Sequence, residues 1–323
     1  MSKNMKITGK TARRAAITAA AGAAAYFITG GAICESILSR FAVNKEPEET
    51  LKNPENMHKY LNDRLYREAD DWFTSNNPAI INLENGKNEM LHAHIIPAKA
   101  ATHKWAVVVH GYTSRPRNMA RQGKHFSDMG YNVLLPYMRA HRASEQRHCS
   151  MGYFEKYDVI SWINYIVSTD QDAEIVLLGT SMGGATVMLV SGEALPQNVK
   201  CIVADCGYTS CWEEYRTQIK NVLHLPAFPF LNAANSYSRL VLGWNFKKCS
   251  PLESVKRSIT PTLFIHGEED KFVPYSMMGE LFDACAAPKD MLSVPGAEHD
   301  MSCAMHPELY WPKIEAFIAE YIK

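Results

Sequence analysis

With 323 residues the chain has room for one large domain or two small ones, at roughly 150 residues per domain. Its 46% hydrophobic and 21% charged residues match folded soluble domains and exclude disordered, collagen-like and coiled-coil chains. Lys plus Arg equal Asp plus Glu at 34 each, so no net field draws a polyanion and nucleic acid is not expected as a partner. Eight cysteines without a CxxC pair exclude a disulfide scaffold and speak against structural zinc.

The first 14 residues form a basic flank, with Lys3, Lys6, Lys10, Arg13 and Arg14. An uncharged stretch follows over residues 15–34, ending at Cys34, rich in Ala and Gly and long enough to span a bilayer as a helix. The basic flank favours a cytoplasmic N-terminus. An uncleaved single-pass anchor that leaves the following domain extracytoplasmic is expected, with secretion after signal cleavage, or a soluble Ala-rich helix packed on the domain, as alternatives. Residues 35–75, with the charged run Lys45-Glu46-Pro47-Glu48-Glu49, read as a juxtamembrane spacer and a helix over residues 57–73.

Residues 76–323 alternate short apolar runs with stretches of helical period. Residues 80–83 and 90–96 flank Asn85-Gly86 and predict an antiparallel hairpin. The runs 105–109, 132–136, 174–178, 201–204, 262–265 and 291–294 are nearly continuous in apolar residues, as strands buried on both faces are. Helices are predicted between them and over 307–322, giving a doubly wound, mainly parallel α/β sheet with ligand sites in the loops at the strands' carboxyl ends. Residues 207–253 exceed an ordinary crossover and read as an inserted helical cap.

Four of those loops carry chemistry. Gly179-Thr180-Ser181-Met182-Gly183-Gly184 places a G-x-S-x-G between strand and helix, a turn that strains its central residue and presents Ser181 as a nucleophile. A serine needs a base, and His299, after the last strand, fits that role. Asp270, after the penultimate strand, is the carboxylate to orient it, with Glu268, Glu269 and Asp205 as competitors. The loop His110-Gly111-Tyr112-Thr113-Ser114 reaches toward the serine, so the N–H groups of Tyr112 and Met182 are the expected oxyanion donors. Turnover is expected to fall as His299 gains a proton, near the unperturbed pKa of about 6.5. In the cap, Tyr208, Trp212, Leu223 and Phe228 are candidates for an apolar substrate pocket or for packing the cap on the body.

With these motifs in order, the chain resembles the α/β-hydrolase superfamily. It looks most like the single-pass, membrane-anchored serine hydrolases of bacteria related to prolyl-oligopeptidase-like and monoacylglycerol-lipase-like enzymes. The similarity covers roughly residues 76–323 and rests on HGYTS at His110, GTSMGG at Ser181, HGEEDKFVP at Asp270 and GAEHD at His299. Arg139-Ala140-His141-Arg142-Ala143-Ser144 stands where such enzymes often have R-G-H-G-x-S, with Ala140 and Ala143 read as replacing the glycines. The resemblance implies hydrolysis of a small-molecule or lipid-derived ester through an acyl-enzyme, without a cofactor. A peptidase or thioesterase on the same triad is the alternative, and a non-catalytic scaffold a third.

Overall fold

In a computed structural model, residues 9–44, 64–222 and 224–323 are described. Lys3, Lys6, the charged run 45–49, the predicted helix over 57–63 and Leu223 lie outside the described residues. Helices α1 (Gly9–Leu38), α2 (Arg40–Val43) and α3 (Arg64–Asn76) precede the hairpin β1 (Ile80–Glu84) and β2 (Met90–Ile96). Then come β3 (Lys104–Val109), α4 (Ala120–Asp128), β4 (Asn132–Pro136), α5 (Glu155–Thr169), β5 (Glu174–Thr180), α6 (Met182–Ser191) and β6 (Val199–Asp205). Between β6 and β7 (Thr262–Gly267) lie α7 (Cys211–Val222), α8 (Ala227–Tyr237), a π turn over Ser238–Leu242, and α9 (Pro251–Val255). The chain closes with α10 (Ser276–Ala284), β8 (Lys289–Val294), α11 (Ser302–Met305) and α12 (Pro307–Ala319).

The eight strands form one sheet in the order β1-β2-β4-β3-β5-β6-β7-β8, antiparallel at β1-β2-β4 and parallel from β4 onward. The apolar runs have their cause in this arrangement: Val107, Val108, Leu177, Leu178, Ile202 and Val203 are fully buried, because helices cover both faces. One face packs Trp162, Ile163, Val187 and Met188 from α5 and α6; the other packs Phe73, Phe126, Tyr310, Ile314 and Phe317 from α3, α4 and α12. Each large side chain removed from water contributes about 1.5–3 kcal/mol. That rigidity holds the loops after β3, β5, β7 and β8 at one edge.

The N-terminal helix is bound into this body. Residues Arg13–Leu38 are long and apolar enough to cross a membrane, and residues 13–25 are exposed, but the C-terminal half packs on cap helix α8. At Gly30 the backbones meet: a Cβ there would lie 2.2 Å from the Ala233 carbonyl oxygen. Phe27 packs on Tyr237 with ring centroids 5.3 Å apart, and the Cys34 thiol reaches the Ala234 carbonyl at 3.3 Å. Small residues on α1 thus serve close packing. The chain after α1 is stitched to the 139–149 segment: Cys149 N–H donates to the Leu38 carbonyl and Arg40 N–H to the Arg147 carbonyl, both at 2.8 Å.

In that segment the left-handed residues are Ala140 (φ 65°) and Arg142 (φ 47°). This corrects the reading of Ala143 as the second glycine replacement, since the glycine-requiring position is occupied by Arg142. Asn44 holds the strained turn from α2's end, donating to the Ala140 carbonyl and accepting from Arg142 N–H, both at 2.7 Å.

Candidate active site

Strand β5 runs straight into α6, and Ser181 at the junction takes φ 57° and ψ −120°. The turn is this sharp because its neighbours lack Cβ atoms: one on Gly179 would sit 2.2 Å from the Gly183 carbonyl oxygen, and one on Gly183 2.1 Å from that of Val109. The Ser181 N–H donates to the Asp205 carbonyl at 2.8 Å, fixing the elbow to β6.

The loops after β7 and β8 converge on this serine. Ser181 Oγ lies 2.9 Å from His299 Nε2, and His299 Nδ1 donates to Asp270 Oδ2 at 2.7 Å. The Asp270 carboxylate is buried and fully bonded: Phe272 and Val273 N–H donate to Oδ1 at 2.9 Å each, and His266 Nε2 lies 3.1 Å from Oδ2. Burial alone would raise its pKa, but His299 and the His266 bond outweigh it and hold the carboxyl below its ordinary range. His299 faces the reverse balance. Burial disfavours the imidazolium, yet the Asp270 charge and hydrogen bond prevail, so its pKa is raised above 6.5 rather than lying at that unperturbed value. The competitors lie elsewhere. Glu268 and Glu269 are exposed, and Asp205 is buried with its Oδ2 accepting from the Tyr310 hydroxyl at 3.0 Å. Burial pushes the Asp205 pKa up to about 8.

The loop after β3 lies against the elbow, where a Cβ on Gly111 would be 3.2 Å from Ser181 Cβ. Two buried imidazoles brace this loop. His110 Nε2 accepts from Met138 N–H at 3.1 Å, His141 Nε2 accepts from Thr113 N–H at 3.2 Å, and burial pushes both pKa values down, that of His141 to about 4. The Tyr112 hydroxyl donates to the Ile37 carbonyl at 2.6 Å. Met182 is the first residue of α6, where backbone N–H groups lack intrahelical acceptors. The Tyr112 and Met182 amides thus belong to the two segments that flank the Ser181 hydroxyl.

The three cap candidates among the described residues are scattered. Tyr208 is buried and donates to the Met151 carbonyl at 2.8 Å, so it packs the cap onto the body. Phe228 is exposed, and Trp212 is half-buried beneath the Lys247 ammonium, 4.3 Å from its ring. Three residues around Asp270 and His299 were given no role in the sequence reading: His266 beneath Asp270, Phe272 with its ring 4.9 Å from that of His299, and Glu214 on α7. His266 and Phe272 stand inside the HGEEDKFVP motif, whereas Glu214 left no trace. Cys206 Sγ, an Asp270 oxygen and a His299 nitrogen lie within 4.8 Å of one another, donor types a divalent metal accepts, although Asp270 and His299 already bond each other.

Residues 105–222 match the family described as alpha/beta hydrolase fold. An uncharacterized Bacillus subtilis protein, YqkD, is 27% identical over 213 residues, which are 66% of this chain and 70% of that protein. Among solved structures, the Pyrococcus furiosus esterase Pf2001 superposes with a TM-score of 0.62 at 20% identity, over 78% of this chain and 94% of its own. The ferulic acid complex of Est1E from Butyrivibrio proteoclasticus gives 0.60 at 19% identity, over 75% and 99%. The eight-stranded sheet, the strand-to-helix elbow and these matches together give the chain the α/β-hydrolase fold.

Proposed function

We propose that this chain is a serine hydrolase that cleaves carboxylic esters through an acyl-enzyme. One observation carries the reading: the continuous line Ser181 Oγ, His299, Asp270, with contacts of 2.9 and 2.7 Å. His299 Nε2 takes the Ser181 proton as Oγ bonds to the ester carbonyl carbon, and the resulting oxyanion is held by the Tyr112 and Met182 N–H groups. Collapse expels the alcohol, which takes the proton from His299. Water then repeats the sequence, its proton passing through His299 while Ser181 is released. Asp270 holds the Nδ1–H tautomer and stabilises the transient imidazolium.

Fluorophosphonate labelling tests the nucleophile, with the modified residue mapped by mass spectrometry in wild type and Ser181→Ala. Label on Ser181 that the variant lacks is the expected result. A well-folded protein without label would favour the non-catalytic scaffold. Acyl esters against matched thioesters and peptide amides separate the readings, and cleavage of amides alone would leave a peptidase.

The membrane reading belongs to the same proposal: α1 anchors the chain as a single span, with the catalytic body extracytoplasmic. Exposed Leu240 and Val241 on the π turn beside α8 give the cap an apolar surface near this helix. Protease protection in right-side-out and inverted vesicles tests the orientation, and equal digestion in both would overturn it.

A further inference from the structure

Cap helix α7 carries two buried polar atoms that find no hydrogen-bond partner among the described residues: Glu214 Oε2 and the Tyr215 hydroxyl. Glu214 is 2% exposed. Its other oxygen accepts from Gln218 Nε2 at 2.8 Å, and the same amide donates to the Phe272 carbonyl at 2.7 Å. The Phe272 ring lies against His299, and the Glu214 charge acts on both His299 and Asp270. Tyr215 neighbours Tyr112 instead, and its ring packs on Phe246 at 5.1 Å. Glu214 therefore lies on the histidine side of Ser181 and Tyr215 on the side of the oxyanion loop. Since His299 returns its proton to the departing group, the Glu214 side receives the leaving group.

A buried carboxylate without a counter-charge is costly, and burial pushes the Glu214 pKa up to about 7. A neutral hydroxyl from substrate would satisfy the open oxygen but leave the charge uncompensated. A protonated amine satisfies both, and the Phe272 ring beside His299 adds a π-face that favours a cation. We propose that Glu214 is a specificity residue that accepts a hydrogen bond from a protonated amine on the leaving group, so that the preferred substrates are esters of amino alcohols. This inference rests on the Ser181 nucleophile reading and names the substrate class for that site.

The test compares hexanoate esters of three alcohols of similar size: 2-(dimethylamino)ethyl, 3-methylbutyl and 2-hydroxyethyl. In the full-length wild type, kcat/KM for the amino ester is expected to exceed that for 3-methylbutyl by at least about tenfold. In Glu214→Gln the advantage should collapse, while Ser181 is still labelled by a fluorophosphonate, showing that the fold and nucleophile survive. A measurement on wild type alone guards against a misfolded variant: trimethylammonium should inhibit competitively where tert-butanol does not. Equal rates on amino and 3-methylbutyl esters by a labelled enzyme would overturn the amine assignment alone. So would an advantage that survives Glu214→Gln, or a hydroxyethyl ester that matches the amino ester. Absence of label from wild-type Ser181 would overturn the nucleophile reading and this inference with it.

Discussion

The Tyr112 hydroxyl donates to the Ile37 carbonyl at 2.6 Å, linking the loop after β3 to the last turn of the N-terminal helix. A helix-end carbonyl lacks an intrahelical donor, and here the active-site loop supplies it. The membrane-spanning candidate thus ends against the loop that lies beside Ser181. Tyr112→Phe removes the donor and leaves a half-buried carbonyl open, at a cost of about 1–3 kcal/mol. Turnover of an acyl ester is expected to fall several-fold with little change in KM, together with a lower Tm. Unchanged kcat and Tm would show that the helix end does not position the loop.

The triad variants should lose activity as a unit. Ser181→Ala and His299→Ala are expected to lower kcat by at least about a thousandfold, and combining them should add little. Asp270→Asn is expected to fall nearly as far, because an amide at Oδ2 no longer fixes the Nδ1–H tautomer. Steady-state rates on one ester, with circular dichroism to verify folding, check this. Full activity of Asp270→Asn alongside a dead Asp205→Asn would reverse the acid assignment.

The acid limb of kcat/KM reports His299 in the free enzyme. Its raised pKa means that it stays protonated, and unable to accept the Ser181 proton, to higher pH than a free histidine. The rate should therefore climb with pH through an apparent pKa above 6.5. Asp270→Asn removes the charge that holds the imidazolium, so the residual activity of that variant should show the limb displaced downward. A wild-type limb at or below 6.5 would contradict the electrostatic balance described at His299.

Much of this site is legible in the sequence, because the sharp elbow demands glycines around Ser181 and the other groups close the strands that follow. Strands such as Leu177-Leu178 declare themselves because burial on both faces permits no polar alternation. Other features depend on contacts far apart in the chain. His266 looks like any strand-end histidine until Asp270 folds back over it, and Glu214 looks like a solvated helix acid until α7 lies over His299. The small residues of α1 carry two meanings at once: marginal insertion into lipid, and close approach to Ala233. Composition alone cannot separate them.

Asp205 offers a stability test independent of catalysis. Its folded pKa is raised to about 8, so between the ordinary carboxylate range and that value the folded state holds a proton that the unfolded state has lost. Its contribution to stability therefore declines as pH rises across that window. Asp205→Asn keeps an acceptor for the Tyr310 hydroxyl and removes the titration. Denaturant unfolding of both proteins should show the variant gaining stability relative to wild type at pH 8 compared with pH 5, with ester turnover retained. A constant difference between the two pH values would mean that Asp205 is ionised in the folded state.

Gly30 tests the docking of α1 on the cap. All eight cysteines are free and buried, so thiol labelling of the native protein should be slow. Cys34 owes its burial to the contact between α1 and α8, where its thiol meets the Ala234 carbonyl. Gly30→Ala places a methyl within 2.2 Å of the Ala233 carbonyl oxygen, a clash that rigid backbone on both sides cannot relieve without separating the helices. Overpacking of this kind costs about 1–3 kcal/mol, and here it falls on a single interface. The variant should therefore expose Cys34 to maleimide ahead of the other seven thiols, as read by mass spectrometry of the labelled peptides. Because the same helix end carries the Ile37 carbonyl, turnover should decline in parallel. Labelling that remains slow at Cys34, or that rises equally at all eight positions, would show that α1 is not held to the cap at Gly30.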